Sequence, residues 1–508
     1  MTQLRVLAVS APYWPVRAAA QTRILGSRVP FSLQNACRLA AGAALSGQGV
    51  WGQSNWKDRD TLRESVVMYD YADDLYDFEK KLREIQPNLL LIAAMTLALP
   101  GAVLIAKMAR EILGDGVAIV LGGKHPSETI YRAGAQVQHH PGSPLRLVSE
   151  GKIPASLFDV VVSGDGEHII ARLGELVADS RNVKDNLDKL WGCPGNWIAG
   201  TVSDGTVKTV ISSGARIDYT SMPIPAEIFG FEGAFKVFGT DRTAHVYSDS
   251  SRGCIMDCFF CTERRLVNGV PQVSGSAHRL ARQFTAVLAE GARREDRVSA
   301  FVEDSILLMG SPNELTQLHH LMGTTVLPFG GQITIDLLLH QQTQDALRLL
   351  TQNGLCYLYA GLETGSEEVA RRMSKNTGGR KGGWMTRNES AIRTATGMGL
   401  RYGVAICFGL GESQADRINL LTHIVEWQQR YDGNPCVVSL NWGTQHPLLN
   451  AGQFDYVQWG TAAGSERLPL FQEMFGEASE LYPVTPGLPT VEELAEIKQF
   501  LDGMMLLQ

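Results

Sequence analysis

The sequence predicts an α/β protein with an N-terminal parallel-sheet domain, a second series of six β/α units and a small C-terminal subdomain. The chain has 508 residues, which is enough for about three domains. Its first 180 residues alternate apolar strands with helical patterns, and a second alternation of the same kind begins near residue 245. Strands that alternate with helices indicate parallel sheets, so both series predict α/β folds.

The first domain, residues 1–180, is predicted to contain a five-stranded parallel sheet. Its strands are continuous Val, Ile and Leu runs, as expected for strands that are buried on both faces. Glycine-rich turns follow the last two strands, at Gly122-Gly123 and at Gly164-Asp165-Gly166. Ligands of doubly wound sheets bind at this edge, so we expect a ligand site there. The predicted strands are 4–9, 65–69, 89–93, 117–121 and 159–162.

Residues 181–244 show weak periodicity and many turn residues, and we interpret them as a linker that contains one hairpin. Residues 245–444 then repeat a strand and a helix six times, which predicts a partial TIM barrel whose chemistry lies in the loops after its strands. Residues 445–508 are predicted to form a capping subdomain with a final helix from Val491. The predicted barrel strands are 244–248, 299–303, 332–336, 357–362, 402–408 and 436–441, and the helices are 277–290, 312–322, 341–353, 366–373, 388–399 and 413–430.

Charge and hydropathy exclude several classes of partner. The net charge is −7, which argues against a broad nucleic-acid-binding surface. The N-terminus enters an apolar strand without the basic and cleavage segments of a secretory signal, so we expect a cytoplasmic protein. Residues 89–106 form the most membrane-like stretch, but Pro100-Gly101 breaks it into a strand, a turn and the start of a helix. We therefore expect no membrane partner.

Three cysteines within eight residues, Cys254, Cys258 and Cys261, follow the first strand of the second series. Thiolates bind zinc and iron–sulfur clusters, but a closed zinc site or a fully ligated cluster needs four ligands. No further Cys-x-x-Cys pair supplies the fourth, so a four-iron cluster held here would keep one iron open. The alternatives are a structural zinc site completed by a nearby His, and cysteines that are simply buried.

The spacing Cys-x-x-x-Cys-x-x-Cys, with Phe260 before the third cysteine, resembles the signature of the radical S-adenosylmethionine superfamily. The resemblance implies a 4Fe-4S cluster whose open iron binds S-adenosylmethionine. It also implies cofactor contacts after three later strands, from Glu303 and Asp304, from Glu363 and Thr364, and from Phe408 and Gly409. Glu412, close to the last of these motifs, has a second interpretation as a first-turn helix residue favoured by the helix dipole.

The presence of a parallel-sheet domain before the barrel resembles the class B, cobalamin-binding branch of this superfamily. That resemblance implies a flavodoxin-like domain that holds a corrin. The sequence has no Asp-x-His, the motif that places a His on cobalt in other corrinoid domains, so we expect base-off cobalamin with no His ligand. The alternative is a sheet that has kept its fold without a corrin. The residues that match the N-terminal elements are Thr96, Gly122, Gly123, His125, Gly164, Gly166 and Glu167.

The resemblance implies a methyltransferase. In such a cycle a 5′-deoxyadenosyl radical takes hydrogen from a small metabolite or natural-product intermediate, and methylcobalamin supplies the methyl group to the resulting carbon radical. An external electron donor such as flavodoxin or ferredoxin would reduce the cluster. The first alternative keeps both cofactors but catalyses a rearrangement, cyclisation or redox reaction without methyl transfer. The second is a corrinoid- or cluster-based sensor, which the acids at successive strand ends disfavour. The sequence identifies no catalytic side chain.

Overall fold

The computed structural model divides the chain into two compact units, with the boundary between Pro223 and Ile224. No helix in the described part of the chain combines the length and the apolar character needed to cross a bilayer. The domain boundaries predicted at 180, 244 and 444 remain predictions. The structure describes residues 4–11, 40–44, 72–179, 181–215, 217, 224, 235–248, 253–258, 261, 263, 271, 273–375, 382–443, 474, 489–502 and 504.

The first unit contains a sheet of six described strands that is flanked by helices. A separate two-stranded hairpin is inserted in the chain between the third and fourth strands of this sheet. The strands are β1 (Val6–Ser10), β2 (Leu89–Ala93), β3 (Ala118–Gly122), β4 (Ile130–Ala133), β5 (Gln136–His139), β6 (Val160–Gly164), β7 (Trp197–Ser203) and β8 (Thr206–Ile211). The helices are α1 (Ala72–Ile85), α2 (Leu99–Leu113), α3 (Lys124–Thr129), α4 (Pro144–Ser149) and α5 (Glu167–Ala178).

The strand order of the main sheet is β1-β2-β3-β6-β7-β8. The first four strands are parallel, with Val6 opposite Leu89 at the start of the β1–β2 pair. The hairpin predicted between residues 181 and 244 is β7–β8, and it adds two antiparallel strands to this sheet. Asp204 and Gly205 both adopt positive φ, as a two-residue hairpin turn requires. The strand predicted at 65–69 lies outside the described residues.

Helices cover both faces of this sheet. Leu7 and Val9 of β1 belong to a core with α1 and α2, whereas Val6 and Ala8 belong to a core with α5 and helical residues 40–44. Residues 40–44 therefore lie on one face of the sheet, and α1 and α2 lie on the other. The carboxyl ends of the parallel strands share one edge of the sheet, which is where ligands bind in folds of this kind.

The second unit is a parallel sheet of six β/α repeats, and it confirms the predicted partial barrel. Its strands stand in chain order, each hydrogen-bonded to the next. They are β9 (Arg242–Val246), β10 (Val298–Val302), β11 (Phe329–Gln332), β12 (Leu355–Glu363), β13 (Arg401–Phe408) and β14 (Cys436–Trp442). The helices are α6 (Ser276–Arg294), α7 (Pro312–Met322), α8 (Ile335–Leu338), α9 (Gln341–Thr351), α10 (Glu367–Arg372), α11 (Trp384–Gly397), α12 (Gln414–Arg430) and α13 (Val491–Asp502).

One large apolar core holds the second unit together, because strand and helix side chains meet between the sheet and its helical layer. The predicted final helix is α13, and its Leu494 and Ile497 are fully buried in that same core. Most of the predicted capping segment, 445–488, lies outside the described residues. In a parallel sheet all carboxyl ends meet at one edge, so the loops after β9, β10, β12 and β13 share an edge of this unit.

Candidate functional site

The three cysteines of the motif lie in the loop that follows β9, and all three side chains are half-buried. The amide of Cys261 donates a hydrogen bond to the carbonyl of Cys258 over 3.0 Å, which closes a turn between the second and third cysteines. Two backbone amides point at sulfur: Met256 N lies 3.4 Å from Cys254 Sγ, and Glu263 N lies 3.4 Å from Cys261 Sγ. Phe260 lies outside the described residues.

The donor chemistry of this loop fits an iron–sulfur cluster. Burial raises the pKa of the Cys254 and Cys258 thiols, and the negative charge of the neighbouring cysteines raises it further. Positive cluster iron would remove that repulsion, and amide hydrogen bonds to sulfur tune such clusters. Among the described residues, no three His, Cys, Asp or Glu side chains form a group that could hold one metal ion. A 4Fe-4S cluster does not require its three cysteine ligands to meet at one metal ion, because each cysteine binds a different iron.

The start of the cysteine loop is held by two buried side chains from neighbouring elements. Asp304, fully buried after β10, accepts a hydrogen bond from the amide of Ser248 over 2.8 Å and another from the Ser248 hydroxyl. Gln283 of α6 accepts from the amide of Tyr247 over 3.1 Å and donates to its carbonyl. These bonds fix the direction in which the chain leaves β9 and enters the cysteine loop.

Glu303, the acid before Asp304, meets His245 of β9. Its carboxylate oxygen Oε1 contacts His245 Nδ1, and the Glu303 side chain is 20% exposed. The His245 ring is itself held edge-on against Phe235, with ring centroids 5.4 Å apart. Of the two acids predicted to contact S-adenosylmethionine after β10, Glu303 is therefore the more open, whereas Asp304 is committed to the loop.

Glu363 closes β12 in the left-handed region of backbone space, at φ +66°. Its side chain is 10% exposed and pairs with Lys375, whose Nζ lies 2.7 Å from Glu363 Oε1 and 3.0 Å from the carbonyl oxygen of Gly361. The adjacent Thr364 is fully buried, and its carbonyl accepts a hydrogen bond from Trp384 Nε1 over 3.0 Å. Thr364 therefore shapes the loop, while Glu363 is largely buried and paired with Lys375.

Lys375 is a functional candidate that the sequence motifs do not identify. Burial alone would lower the pKa of its ammonium, but Glu363, Cys258 and Tyr359 together hold it above the ordinary value. In return, the Lys375 charge opposes the effect of burial on the Cys258 thiol. Lys375 thus places a positive charge within electrostatic range of both the cysteine loop and Glu363. Its position 12 residues after a strand-end acid, across the short helix α10, was the only sequence signal.

The loop after β13 is built around Glu412. Its carboxylate accepts from the amides of Gly409, over 2.6 Å, and Leu410, over 2.9 Å, and pairs with Arg417 over 2.8 Å. The Arg417 guanidinium also stacks on Trp442, 4.6 Å from the ring centroid. Glu412 therefore fixes the conformation of its own loop. Phe408 is fully buried, and a side chain on Gly409, at φ +79°, would collide with Trp442.

In the first unit, the glycine turns pack tightly against neighbouring backbone. Gly123 has φ +95°, and a Cβ there would lie 2.7 Å from the amide nitrogen of Ala94; Gly164 has φ +88° and abuts Asn196. Ser127 links the two turns, since its hydroxyl donates to the carbonyl of Gly123 over 2.9 Å and accepts from the amide of Gly164 over 3.0 Å. Both glycines stay exposed at the edge of the sheet, whereas Gly122, Gly166 and Glu167 are half-buried.

We expect Gly123→Ala to destabilise the first unit by about 3 kcal/mol, because the substitution adds left-handed backbone strain and a backbone clash. Gly134 has φ +64° but open space around its Cβ position, so Gly134→Ala should cost only about 1 kcal/mol. Urea unfolding of both variants beside wild type measures the difference. Equal losses would show that the clash with Ala94 contributes nothing.

A buried hydrogen-bonded chain connects the loops after β2 and β3. The Thr96 hydroxyl donates to Glu128 Oε2 over 2.8 Å and lies 3.2 Å from His125 Nδ1, and His125 Nε2 lies 2.9 Å from the carbonyl oxygen of Gly142. Thr96 is 5% exposed and His125 is fully buried. Both ring nitrogens of His125 thus have partners within the protein.

The architecture matches a solved enzyme. TsrM from Kitasatospora setae, a radical S-adenosylmethionine methyltransferase solved with cobalamin and a 4Fe-4S cluster bound, aligns over 98% of this chain and 89% of its own, with a TM-score of 0.54 and 14% sequence identity. The chain has the fold of TsrM. The flavodoxin-like sheet followed by a partial barrel, which the resemblance implied, is therefore confirmed as the fold.

Other comparisons give weaker matches. A second TsrM structure, with tryptophan and an S-adenosylmethionine analogue bound, aligns over 87% of this chain and 73% of its own, with 14% identity and a TM-score of 0.48. HydG, a maturase of FeFe-hydrogenase, aligns over 52% of this chain and 50% of its own, with 12% identity and a TM-score of 0.29. No family model matches the chain. No curated protein matches it by sequence.

Proposed function

We propose that this protein is a cobalamin-dependent radical S-adenosylmethionine methyltransferase that methylates a carbon of a small metabolite or natural-product intermediate. The observation that carries the proposal is the half-buried cysteine triad, which follows the first strand of a partial barrel whose later strand ends hold acids. The TsrM fold supports the proposal, since it joins such a barrel to a flavodoxin-like sheet.

In this proposal Cys254, Cys258 and Cys261 hold a 4Fe-4S cluster, and the first unit holds cobalamin. The cluster would supply a reducing electron, which it receives from an external donor such as flavodoxin or ferredoxin. The cobalamin would carry the methyl group. Asp304 and Gln283 anchor Ser248 and Tyr247, at the start of the cysteine loop. Fixing the first residues of the loop reduces the conformational entropy that is lost when a ligand binds.

The exposure of the strand-end acids divides their proposed roles. The Glu303 and Glu363 side chains keep 20% and 10% of their surface exposed, so we assign them the direct contacts to S-adenosylmethionine. Carboxylates bind ammonium and hydroxyl groups, which this cofactor carries on its methionine and ribose parts. Asp304 and Thr364 are fully buried and bonded to the protein, so we assign them to positioning the loops. Phe408 and Gly409, which the resemblance assigns to the adenine side, are buried, so we assign them to shaping the loop after β13.

In the first unit we assign cobalamin to the carboxyl edge of the sheet, where Gly123 and Gly164 are exposed. Because both ring nitrogens of His125 have hydrogen-bonding partners, we propose base-off cobalamin without a His ligand. Thr96 and His125 then serve to fix the strand-end loops. Gly122, Gly166 and Glu167, predicted as further contacts, lie half-buried along the same edge.

Anaerobic reconstitution with iron, sulfide and hydroxocobalamin tests the cofactors. We expect about four irons and one cobalt per chain after desalting. Iron without cobalt would overturn the cobalamin-dependent mechanism. Product analysis with reductant and candidate substrates then tests the reaction: S-adenosylhomocysteine and 5′-deoxyadenosine formed together indicate methylation. Formation of 5′-deoxyadenosine without methyl transfer would favour a non-methylating rearrangement, cyclisation or redox reaction instead.

A further inference from the structure

An exposed apolar side chain stands at the carboxyl edge of the first sheet. Met95 follows β2 directly and is 47% exposed, although it sits between Ala94 and Thr96, which are 2% and 5% exposed. The carboxyl ends of the parallel strands form the edge at which sheets of this kind bind ligands. Met95 is therefore the exposed large apolar residue at the position where the topology favours a ligand.

The backbone that carries Met95 is fixed on both sides. The amide of Ala94 donates to the carbonyl of Gly122 over 2.9 Å, and the carbonyl of Ala94 accepts from the amide of His125 over 2.9 Å. On the other side, the Thr96 hydroxyl bonds to Glu128 and lies against His125. These contacts turn Thr96 inward and leave Met95 at the surface. The exposed side chain at this edge is thus Met95 rather than Thr96.

The surroundings of Met95 suit a broad, flat ligand. Gly123, whose φ of +95° and close approach to Ala94 exclude a side chain, is exposed beside it. A thioether next to bare glycine backbone offers dispersion contact and few hydrogen bonds. Such a surface fits a macrocycle face better than a phosphate, which prefers several amide donors or cationic side chains.

Resting on the proposed function, we infer that Met95 packs against the face of the corrin that is turned to this sheet edge, below the cobalt. A thioether is a soft, weak ligand, and its apolar body excludes water from that face. The expected absence of a His on cobalt then has a structural reason: an apolar side chain occupies the place where a nitrogen ligand would stand.

The test is the appearance of a new splitting in the EPR spectrum of a variant. In Met95→His the new imidazole would reach the cobalt, so the EPR spectrum of bound cob(II)alamin should show a three-line nitrogen splitting. Labelling the histidines of the variant with 15N should convert three lines to two, which shows that the nitrogen belongs to the protein. Wild type should show no such protein-derived splitting. Tyr131→His is the matched control, because Tyr131 is similarly exposed, at 48%, on the separate β4–β5 hairpin.

Each outcome decides the inference. A 15N-sensitive splitting in Met95→His alone supports it. Loss of cobalamin from Met95→His, with unchanged circular dichroism and normal cobalt in Tyr131→His, supports it as well. A variant that retains as much cobalt as wild type and lacks the splitting overturns it. Absence of cobalt from wild type would overturn the proposed function, and with it this inference, and the cobalt content distinguishes this outcome from the previous one.

Discussion

Replacing Cys254, Cys258 and Cys261 with Ala should abolish iron binding, taking the reconstituted protein from about four irons per chain to none. The three thiols lie on one loop, and two of them already accept backbone amide hydrogen bonds. Without them, the loop has no thiolate left, and the nearby strand-end acid Glu363 is already paired with Lys375. Iron and sulfide analysis with the visible spectrum measures the loss.

Cys356→Ala is the matched control for the triple variant. Cys356 is also half-buried, but it stands on β12, and its thiol lies 3.6 Å from the carbonyl oxygen of Phe329. Burial raises the pKa of the Cys356 thiol to about 11, so the side chain is a protonated packing residue at neutral pH. We expect Cys356→Ala to keep its full iron content. Iron retained by the triple variant, or lost equally from the control, would contradict the assignment of the cluster to the β9 loop.

The sequence was sufficient to predict five of the six barrel strands, because these are short apolar runs separated by amphipathic helices. The burial of Val404 and Ile406, for example, can be predicted from the apolar residues next to them in the sequence. The third strand, predicted at 332–336, is wrong: β11 is Phe329–Gln332, whose two central glycines give no apolar run, and α8 begins at Ile335. The cysteine triad could be recognised for a similar reason: its spacing places three thiols on one loop.

The pairing of β7 with β6 could not be predicted in this way. The dipeptide Asp204-Gly205 indicates a hairpin turn between β7 and β8. The further pairing of β7 with β6 depends on tertiary packing, which the local sequence does not encode.

The roles of the polar strand-end residues show a different limit. Asp304, Thr96 and His125 stand where cofactor contacts are expected, yet all three are buried and bonded to the protein. A buried polar group must have a partner, but the sequence does not say whether that partner is protein or ligand. Their assignment to cofactor binding stays a prediction. Lys375 was missed for the converse reason, since only the fold brings it close to Glu363 and Cys258.

Lys375→Met should lower the stability of the second unit and also shift the potential of the cluster. The pair of Lys375 and Glu363 is 16% and 10% exposed, so removing the ammonium leaves a largely buried carboxylate without its cation. Breaking such a pair costs about 3 kcal/mol. Urea unfolding measures this loss. The double variant Lys375→Met with Glu363→Gln should recover part of it, because the unpaired charge is then absent.

The pH dependence of the Lys375 effect has a defined sign. The folded pKa of Lys375 lies above its ordinary value of 10.5, so the charged form is favoured by folding. The stabilisation is therefore complete below pH 10.5 and declines as the pH rises through the folded pKa. The stability difference between wild type and Lys375→Met should accordingly stay constant from neutral pH to about pH 10. A difference that already disappears near neutral pH would contradict the ion pair.

The electrochemical part of the prediction separates charge from stability. A positive charge near an iron–sulfur cluster favours its reduced state, so Lys375→Met should make the midpoint potential more negative. Lys236→Met, at an exposed lysine of the same unit, should leave the potential unchanged. EPR-monitored redox titration compares the three proteins. If Lys375→Met loses stability but keeps the wild-type potential, Lys375 only supports the Glu363 loop; a negative shift means that its charge also acts on the cluster bound by Cys258.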